Sequence, residues 1–300
     1  MIDFDKRDGW IWYDGEMVPW RDAKLHVLSH GLHYASCVFE GQRVYGGTIF
    51  RLEQHTERLF ESARQLGFKL PFTIEEINQA NYQVCRANTI DDGYVRPVAW
   101  RGSEMMGVSA QKNTIHVALA AWEWPSYFSP EARLKGLKLQ WSKWKRPDPA
   151  TIPAKAKAAG LYMICTLSKH AAESDGFDDA LMLDWRGRLA ESTGANIFLV
   201  IDGALHTPTP DCFLDGITRQ CVIALAKKRG IEVVERVIMP EELEKADEVF
   251  LTGTAAEVTP VGQIGDLHFQ PGAMCRLMIE DFTALTREPT PAPAHIGAGG

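Results

Sequence analysis

The 300-residue chain has no uninterrupted apolar stretch of the roughly 18 residues that a bilayer span requires, so no membrane partner is expected. Its first residues, MIDFDKRDGW, lack an apolar run after a basic start, and a secretory signal is not expected there. Cysteine is sparse. Cys37, Cys85, Cys165, Cys212, Cys221 and Cys275 include no CxxC pair, which argues against a zinc or other metal site and for reduced thiols in the cytoplasm. A dense basic face is missing too. With a formal net charge of -7 and both signs spread along the chain, general nucleic-acid binding is excluded, although a few local donors suffice for a small anion. No internal repeat is visible, and helices and strands do not alternate as regular βαβ units. That favours an α+β fold over a doubly wound sheet.

What the chain does have is core material: 45% hydrophobic residues over this length suffice for two domains or one large one. The first fifty residues read as strands and tight turns, with hairpin signals at Asp14-Gly15 and Gly46-Gly47. Leu52, Leu59, Ala63 and Leu66 share one side of a helix that Gly67 stops. Thr73 and Glu76 form a capping-box pattern for a second helix, and strands are expected at Tyr94–Arg101 and Thr114–Trp122. The mixed stretch up to residue 136 reads as a hinge, which divides the chain into a smaller part, 1–125, a linker, 126–136, and a larger part, 137–286. In the larger part, strands are expected at 137–143, 179–184, 188–191, 196–201 and 231–238, and a last one at Glu248–Thr252. Helices are expected at about 160–174, after Gly216 and over 271–286. The tail 287–300, rich in Pro, Gly and Ala, is expected to be disordered.

Six segments are candidates for chemistry. Leu214-Asp215-Gly216-Ile217-Thr218-Arg219 opens a helix, where unpaired N–H groups and the positive dipole end suit an anion. Leu251-Thr252-Gly253-Thr254-Ala255-Ala256 ends a strand in small residues that let backbone N–H groups approach a ligand. Alone, each is also an ordinary cap or turn. Thr151-Ile152-Pro153-Ala154-Lys155-Ala156-Lys157 presents two lysines among small residues. Burial would lower the pKa of either and make it a nucleophile, but the residues leave open which, and solvated lysines on a loop are the simpler reading. In Leu189-Ala190-Glu191-Ser192-Thr193-Gly194-Ala195-Asn196, an acid before small residues can floor a cavity, or stand exposed on a turn. His30, His33 and Cys37, within SHGLHYASCVFEG, lack a second cluster of ligands, so a metal is not expected. Tyr94-Val95-Arg96-Pro97, on a strand, sets a hydroxyl and a guanidinium on one face, a pair suited to a carboxylate.

In this order and spacing, SHGLHYASCVFEG, YVRP, TIPAKAKAAGLY, AESTGANIF, LDGITR and ADEVFLTGTAAEVTP resemble the branched-chain amino-acid aminotransferases, fold-type IV enzymes that use pyridoxal 5'-phosphate. The resemblance runs from about Trp10 to Pro271. It implies a smaller N-terminal α/β domain, a larger domain with a mixed barrel-like sheet, and a homo-oligomer in which a neighbour completes the pocket. It implies that Lys157, not Lys155, is the catalytic lysine that carries the cofactor, with Tyr162 on the phenolic oxygen and Glu191 on the pyridine nitrogen. It implies Arg51 as a phosphate-binding arginine, with Ile217, Thr218, Thr252, Gly253 and Thr254 as the phosphate cup. Tyr34, Phe39, Tyr94, Arg96, Trp124 and Tyr127 match substrate-pocket positions, and Thr254 and Ala255 would receive the α-carboxylate. The implied reaction moves amino groups from leucine, isoleucine or valine to 2-oxoglutarate. D-amino-acid and (R)-amine transaminases and aminodeoxychorismate lyase share the fold, Lys157, Glu191 and the phosphate loops, but Tyr94-Val95-Arg96 favours the branched-chain type. Ala195 stands where relatives often carry a second Glu, and Ser192-Thr193-Gly194 where they carry Gly-Ala-Gly. Charge balance at the cofactor edge is therefore expected to differ.

Overall fold

The computed structural model describes residues 3–124 and 135–288. Trp10–Tyr13 (β1) and Glu16–Pro19 (β2) pair as a hairpin across Asp14 and Gly15, both at positive φ. A five-residue helix, His30–Tyr34 (α1), stands where the sequence reads as strands and turns; it is too short to show a helical period. Cys37–Phe39 (β3), Gln42–Tyr45 (β4) and Thr48–Ile49 (β5) follow, the last two joined through Gly46-Gly47. The two helices are Leu52–Gln65 (α2) and Ile74–Ala87 (α3), and the latter carries both bonds of the capping box between Thr73 and Glu76. Gly93–Arg101 (β6) and Ile115–Glu123 (β7) complete a seven-stranded sheet ordered β2-β1-β7-β6-β4-β5, with β3 on β6. The apolar stripes of α2 and α3 cover one face. Leu59, Ala63, Ile77 and Val84 meet Val44, Val95, Ala99, Val117 and Leu119 there, each large side chain worth about 1.5–3 kcal/mol on burial.

The second sheet begins with Leu137–Trp141 (β8). A 3-10 turn over Ala159–Tyr162 leads into Met163–Ser174 (α4), then Asp179–Leu183 (β9), Leu189–Ser192 (β10), Asn196–Ile201 (β11) and Ala204–Pro208 (β12). Ile217–Lys228 (α5), Val233–Arg236 (β13), Glu248–Gly253 (β14), Glu257–Ile264 (β15), Leu267–His268 (β16) and Ala273–Thr286 (α6) end the described chain. The order is β10-β9-β8-β15-β14-β11-β12-β13, and β10 also pairs with β11, so six strands close into a barrel. Strand β11 is buried on both faces. Ile197, Leu199 and Ile201 join the apolar cluster with Leu139, Leu181 and Leu251, while Phe198 and Val200 pack with residues of α5 and α6. That explains its unbroken apolar sequence.

Glu248–Thr252 is not the last strand. The segment after it contains Pro260 and Gly262, which read as breakers, yet it pairs with β14 and β8, and a register shift between Val261 and Gln263 accommodates the irregularity. The expected linker, 126–136, and the tail lie for the most part outside the described residues. Among the described residues no helix is long and apolar enough to cross a membrane. The first sheet meets the loop after β8 through Phe39 N–H donating to Lys157 O at 3.1 Å, and the second sheet through Tyr45 Oη donating to Glu257 Oε1 at 2.8 Å.

Candidate active site

The turn that carries the two lysines settles their fates. Ala156 N–H donates to Pro153 O at 3.0 Å, so the chain is not extended and the side chains diverge. Lys155 is exposed, whereas Lys157 is partly buried and lines a cavity between the sheets. The cavity encloses about 550 Å³ of free space, part of it open to solvent. Lys157 Nζ donates to Tyr162 Oη at 2.9 Å and lies 5.1 Å from the centroid of the Phe39 ring. Burial, then the Arg58 guanidinium, lowers its pKa against the opposing pull of Glu40, which favours the neutral, nucleophilic amine. Burial pushes the Tyr162 phenol well up, so it remains a hydroxyl.

Across the cavity, Glu191 projects from β10. One carboxylate oxygen lies 3.4 Å from Arg146 Nε, and the other accepts from Asn196 Nδ2 at 3.2 Å. Burial raises Glu191 to about 7, against the pull of Arg146 and then Lys157. A carboxyl poised there ionises readily beside a cationic partner. The third wall is the N-terminus of α5, capped by Gly216 with no side-chain bond, so its first N–H groups have no intrahelical acceptor. Ile217 and Thr218 stand there, facing Thr252, Gly253 and Thr254 at the end of β14. Thr252 Oγ1 is buried and takes no hydrogen bond among the described residues. A lone amine, an acid, an orphaned hydroxyl and a bare helix N-terminus around one cavity fit a group that combines a carbonyl, a basic ring nitrogen and a phosphate.

On the first sheet, Phe39, Tyr94 and Arg96 form one surface. The Arg96 guanidinium carbon lies 4.9 Å from the Phe39 centroid, and Arg96 Nη2 donates to Tyr94 Oη at 3.3 Å. Arg96 Nε is buried without a hydrogen bond among the described residues. Trp124 packs on Tyr94 with ring centroids 5.4 Å apart, and Ala255 packs against the same aromatic cluster. Tyr127 lies outside the described residues. Tyr34 stacks on His30 at the exposed end of α1 and does not line the cavity of its own chain.

Arg51 is not brought to the cavity; Arg58 is. Arg51 caps α2 at φ 54°, exposed, its guanidinium over the Phe50 ring, and Arg58, seven positions on, lies about 10 Å further along the helix. Sequence reasoning also missed Arg146, Asn196, Glu40, His55 and Ser62. For α2 a signal existed. His55, Arg58 and Ser62 interrupt the apolar side of an amphipathic helix at i, i+3 and i+7, and a polar group on a buried face needs a partner.

Residues 37–264 match the model of the class IV aminotransferases, and the chain belongs to that family. It is 45% identical over 262 residues to the branched-chain-amino-acid aminotransferase of Pseudomonas aeruginosa, covering 86% of this chain and 85% of that protein. Among solved structures it is similar to the branched-chain aminotransferase of the archaeon Thermoproteus uzoniensis with norvaline, with a TM-score of 0.89, 36% identity, and 93% and 95% of the two chains covered. The branched-chain amino acid aminotransferase of Thermobaculum terrenum in its PLP form matches with a TM-score of 0.84 and 32% identity over 93% and 94% of the chains.

Proposed function

We propose that the protein transfers the amino group of branched-chain L-amino acids to 2-oxoglutarate, with pyridoxal 5'-phosphate carried on Lys157. The observation that carries this reading is the cavity itself, which gathers Lys157 Nζ with Tyr162 Oη, Glu191 and the start of α5. Tyr162 would hold the cofactor's phenolic oxygen and Glu191 its ring nitrogen. Its phosphate would take Ile217, Thr218, Gly253 and Thr254, with Arg58 in the part expected of Arg51. When bound, the cofactor supplies a ring that accepts the electron pair left by the departing α-proton. Lys157 Nζ, once the substrate amine has displaced it, would take that proton from the substrate's Cα and deliver it to the cofactor's C4′ carbon, a role that its lowered pKa favours. Phe39 and Trp124 suit a branched aliphatic side chain. The Arg96 guanidinium, whose Nε has no partner among the described residues, suits the second carboxylate of glutamate, and Thr254 and Ala255 would receive the α-carboxylate. Amino acids and 2-oxo acids are thus its small-molecule partners.

We also propose a cytoplasmic homo-oligomer. All six cysteines are free thiols. Val27, Leu32 and Tyr34, in and just before α1, and Val108, in the loop after β6, stand 70%, 64%, 45% and 85% exposed, and His30 Nε2 and Gly107 O, 3.1 Å apart, join the two segments. Exposed apolar side chains on two joined segments suit a second copy, whose pocket Tyr34 would then reach. Sedimentation analysis checks the assembly.

The decisive test mixes the purified protein with pyridoxal 5'-phosphate, L-leucine and 2-oxoglutarate. Formation of 4-methyl-2-oxopentanoate and L-glutamate is expected, with the visible band of lysine-bound cofactor lost in Lys157→Ala and kept in Lys155→Ala. Turnover of D-alanine or (R)-1-phenylethylamine but not L-leucine overturns the substrate assignment.

A further inference from the structure

Glu40 is a fully buried carboxylate that the reaction does not use directly. It sits between β3 and β4, its own N–H donating to Pro97 O at 2.8 Å, so its backbone is pinned to the central strand β6. Two side chains of α2 converge on it. His55 Nδ1 lies 2.7 Å from Oε2, while Arg58 donates from Nε to Oε1 at 2.6 Å and from Nη2 to Oε2 at 2.9 Å. The Gly41 N–H adds a bond to Oε2 at 3.2 Å. An ionised carboxylate only accepts, so the His55 proton belongs on Nδ1. Burial alone would raise the Glu40 pKa, but Arg58 and then His55 outweigh it and hold the carboxyl far below the usual range. The acid is therefore ionised throughout the working pH range.

This bidentate fork fixes the plane of the guanidinium. Arginine is otherwise a long side chain with several rotamers, and locking one in advance removes the ordering cost from ligand binding. With Nε and Nη2 on Glu40, Nη1 makes no hydrogen bond among the described residues, while Arg58 lines the cavity with Thr218 and Thr254. We infer that Glu40, supported by His55, is a positioning residue that holds the Arg58 guanidinium ready for the phosphate of the cofactor. The inference rests on the reading of Arg58 as a phosphate ligand. His55 adds a further bond, to the oxygen that also accepts from Arg58 Nη2, so Glu40 does not swing with its partner.

The test compares two probes on the full-length chain freed of cofactor: pyridoxal 5'-phosphate and pyridoxal, which lacks the phosphate. Binding is read from the absorbance of the lysine-bound aldehyde. Arg58→Gln is expected to raise the Kd for pyridoxal 5'-phosphate about a hundredfold and that for pyridoxal less than twofold. Glu40→Gln is expected to raise the first about tenfold or more, again sparing the second. The double variant is expected to bind no more weakly than Arg58→Gln alone, because the two residues act as one unit. Should Glu40→Gln fail to fold, His55→Leu removes a donor to Glu40 without touching Arg58 and is expected to show the same selective loss at three- to tenfold. Equal weakening of both probes, or none, in the Glu40 and His55 variants overturns the positioning role. If Arg58→Gln itself fails to separate the probes, the phosphate reading of Arg58 falls, and the inference with it.

Discussion

The backbone N–H of Lys157 donates to Ser62 Oγ at 2.9 Å, which ties the lysine's loop to the helix α2 that also carries Arg58. Ser62 is 1% exposed, so no water replaces its hydroxyl when it is removed. Ser62→Ala leaves the Lys157 N–H without its acceptor, at a cost of about 1–3 kcal/mol. A lower melting temperature is expected, together with weaker cofactor binding, because the loop that presents Nζ loses its anchor. Calorimetry with and without pyridoxal 5'-phosphate checks both. An unchanged melting temperature contradicts the anchoring role.

Glu191 gives the cofactor-free protein a pH signature. Its pKa is raised from an ordinary 4.5 to about 7, chiefly by burial. A raised folded-state pKa contributes stability that is complete below the unfolded value and is lost as pH rises through the folded one. At about 1.4 kcal/mol per unit, this contribution is on the order of 3 kcal/mol, lost across pH 4.5 to 7. Glu191→Gln does not titrate, so the variant's melting temperature is expected to rise relative to that of the unmodified chain between pH 5 and pH 8. A difference that stays flat or falls across this range refutes the assignment. The same variant is expected to bind cofactor more weakly, since it no longer offers a carboxylate to the ring nitrogen.

Arg96 separates the two halves of the proposed reaction. A charge-assisted contact to a carboxylate contributes roughly 1.5–3 kcal/mol, and each 1.4 kcal/mol is about tenfold. Arg96→Gln is expected to raise KM for 2-oxoglutarate and glutamate by about 10- to 150-fold while changing that for leucine far less. Single-turnover measurements on each half-reaction check this. Parallel losses for both substrates would show that Arg96 only maintains the shape of the pocket.

Much of the fold was legible because local chemistry and tertiary structure agree. Thr73 and Glu76 make both bonds of their capping box, and the Asp14-Gly15 hairpin forms at the positive φ values its sequence favours. β15 was hidden because Pro260 and Gly262 look like punctuation, and only pairing on both sides reveals the strand. At the site, motif order pointed to the cavity, but spacing alone did not separate Lys155 from Lys157; that depends on the turn at Pro153–Ala156. Arg51 and Arg58 show the same limit. Both are arginines on one segment, two helical turns apart, and only the packing of α2 on β3 brings Arg58 to Glu40. Arg146 comes from a proline-rich loop that has no period to read, and its burial beside Glu191 is a property of the barrel.

Gly216 and Asn196 offer the sharpest test of how the two ends of the cavity are coupled. Asn196 Nδ2 donates both to Glu191 Oε2 at 3.2 Å and to Leu214 O at 3.0 Å, which joins the acid to the loop entering α5. Its Oδ1 lies so close to the Cα of Gly216 that a Cβ there would overlap it. The φ of Gly216, -65°, is open to any residue, so the requirement is for space, not for backbone freedom. Gly216→Ala must therefore displace Asn196, and is expected to weaken cofactor binding at both its acid and its phosphate end. Asn196→Ala removes the obstruction along with two hydrogen bonds. Gly216→Ala should then cost little once Asn196→Ala is present, so the double variant is expected to bind cofactor about as well as Asn196→Ala alone. A double-mutant cycle of cofactor Kd measures this directly. Strict additivity would mean that Gly216→Ala acts through the helix start and not through Asn196.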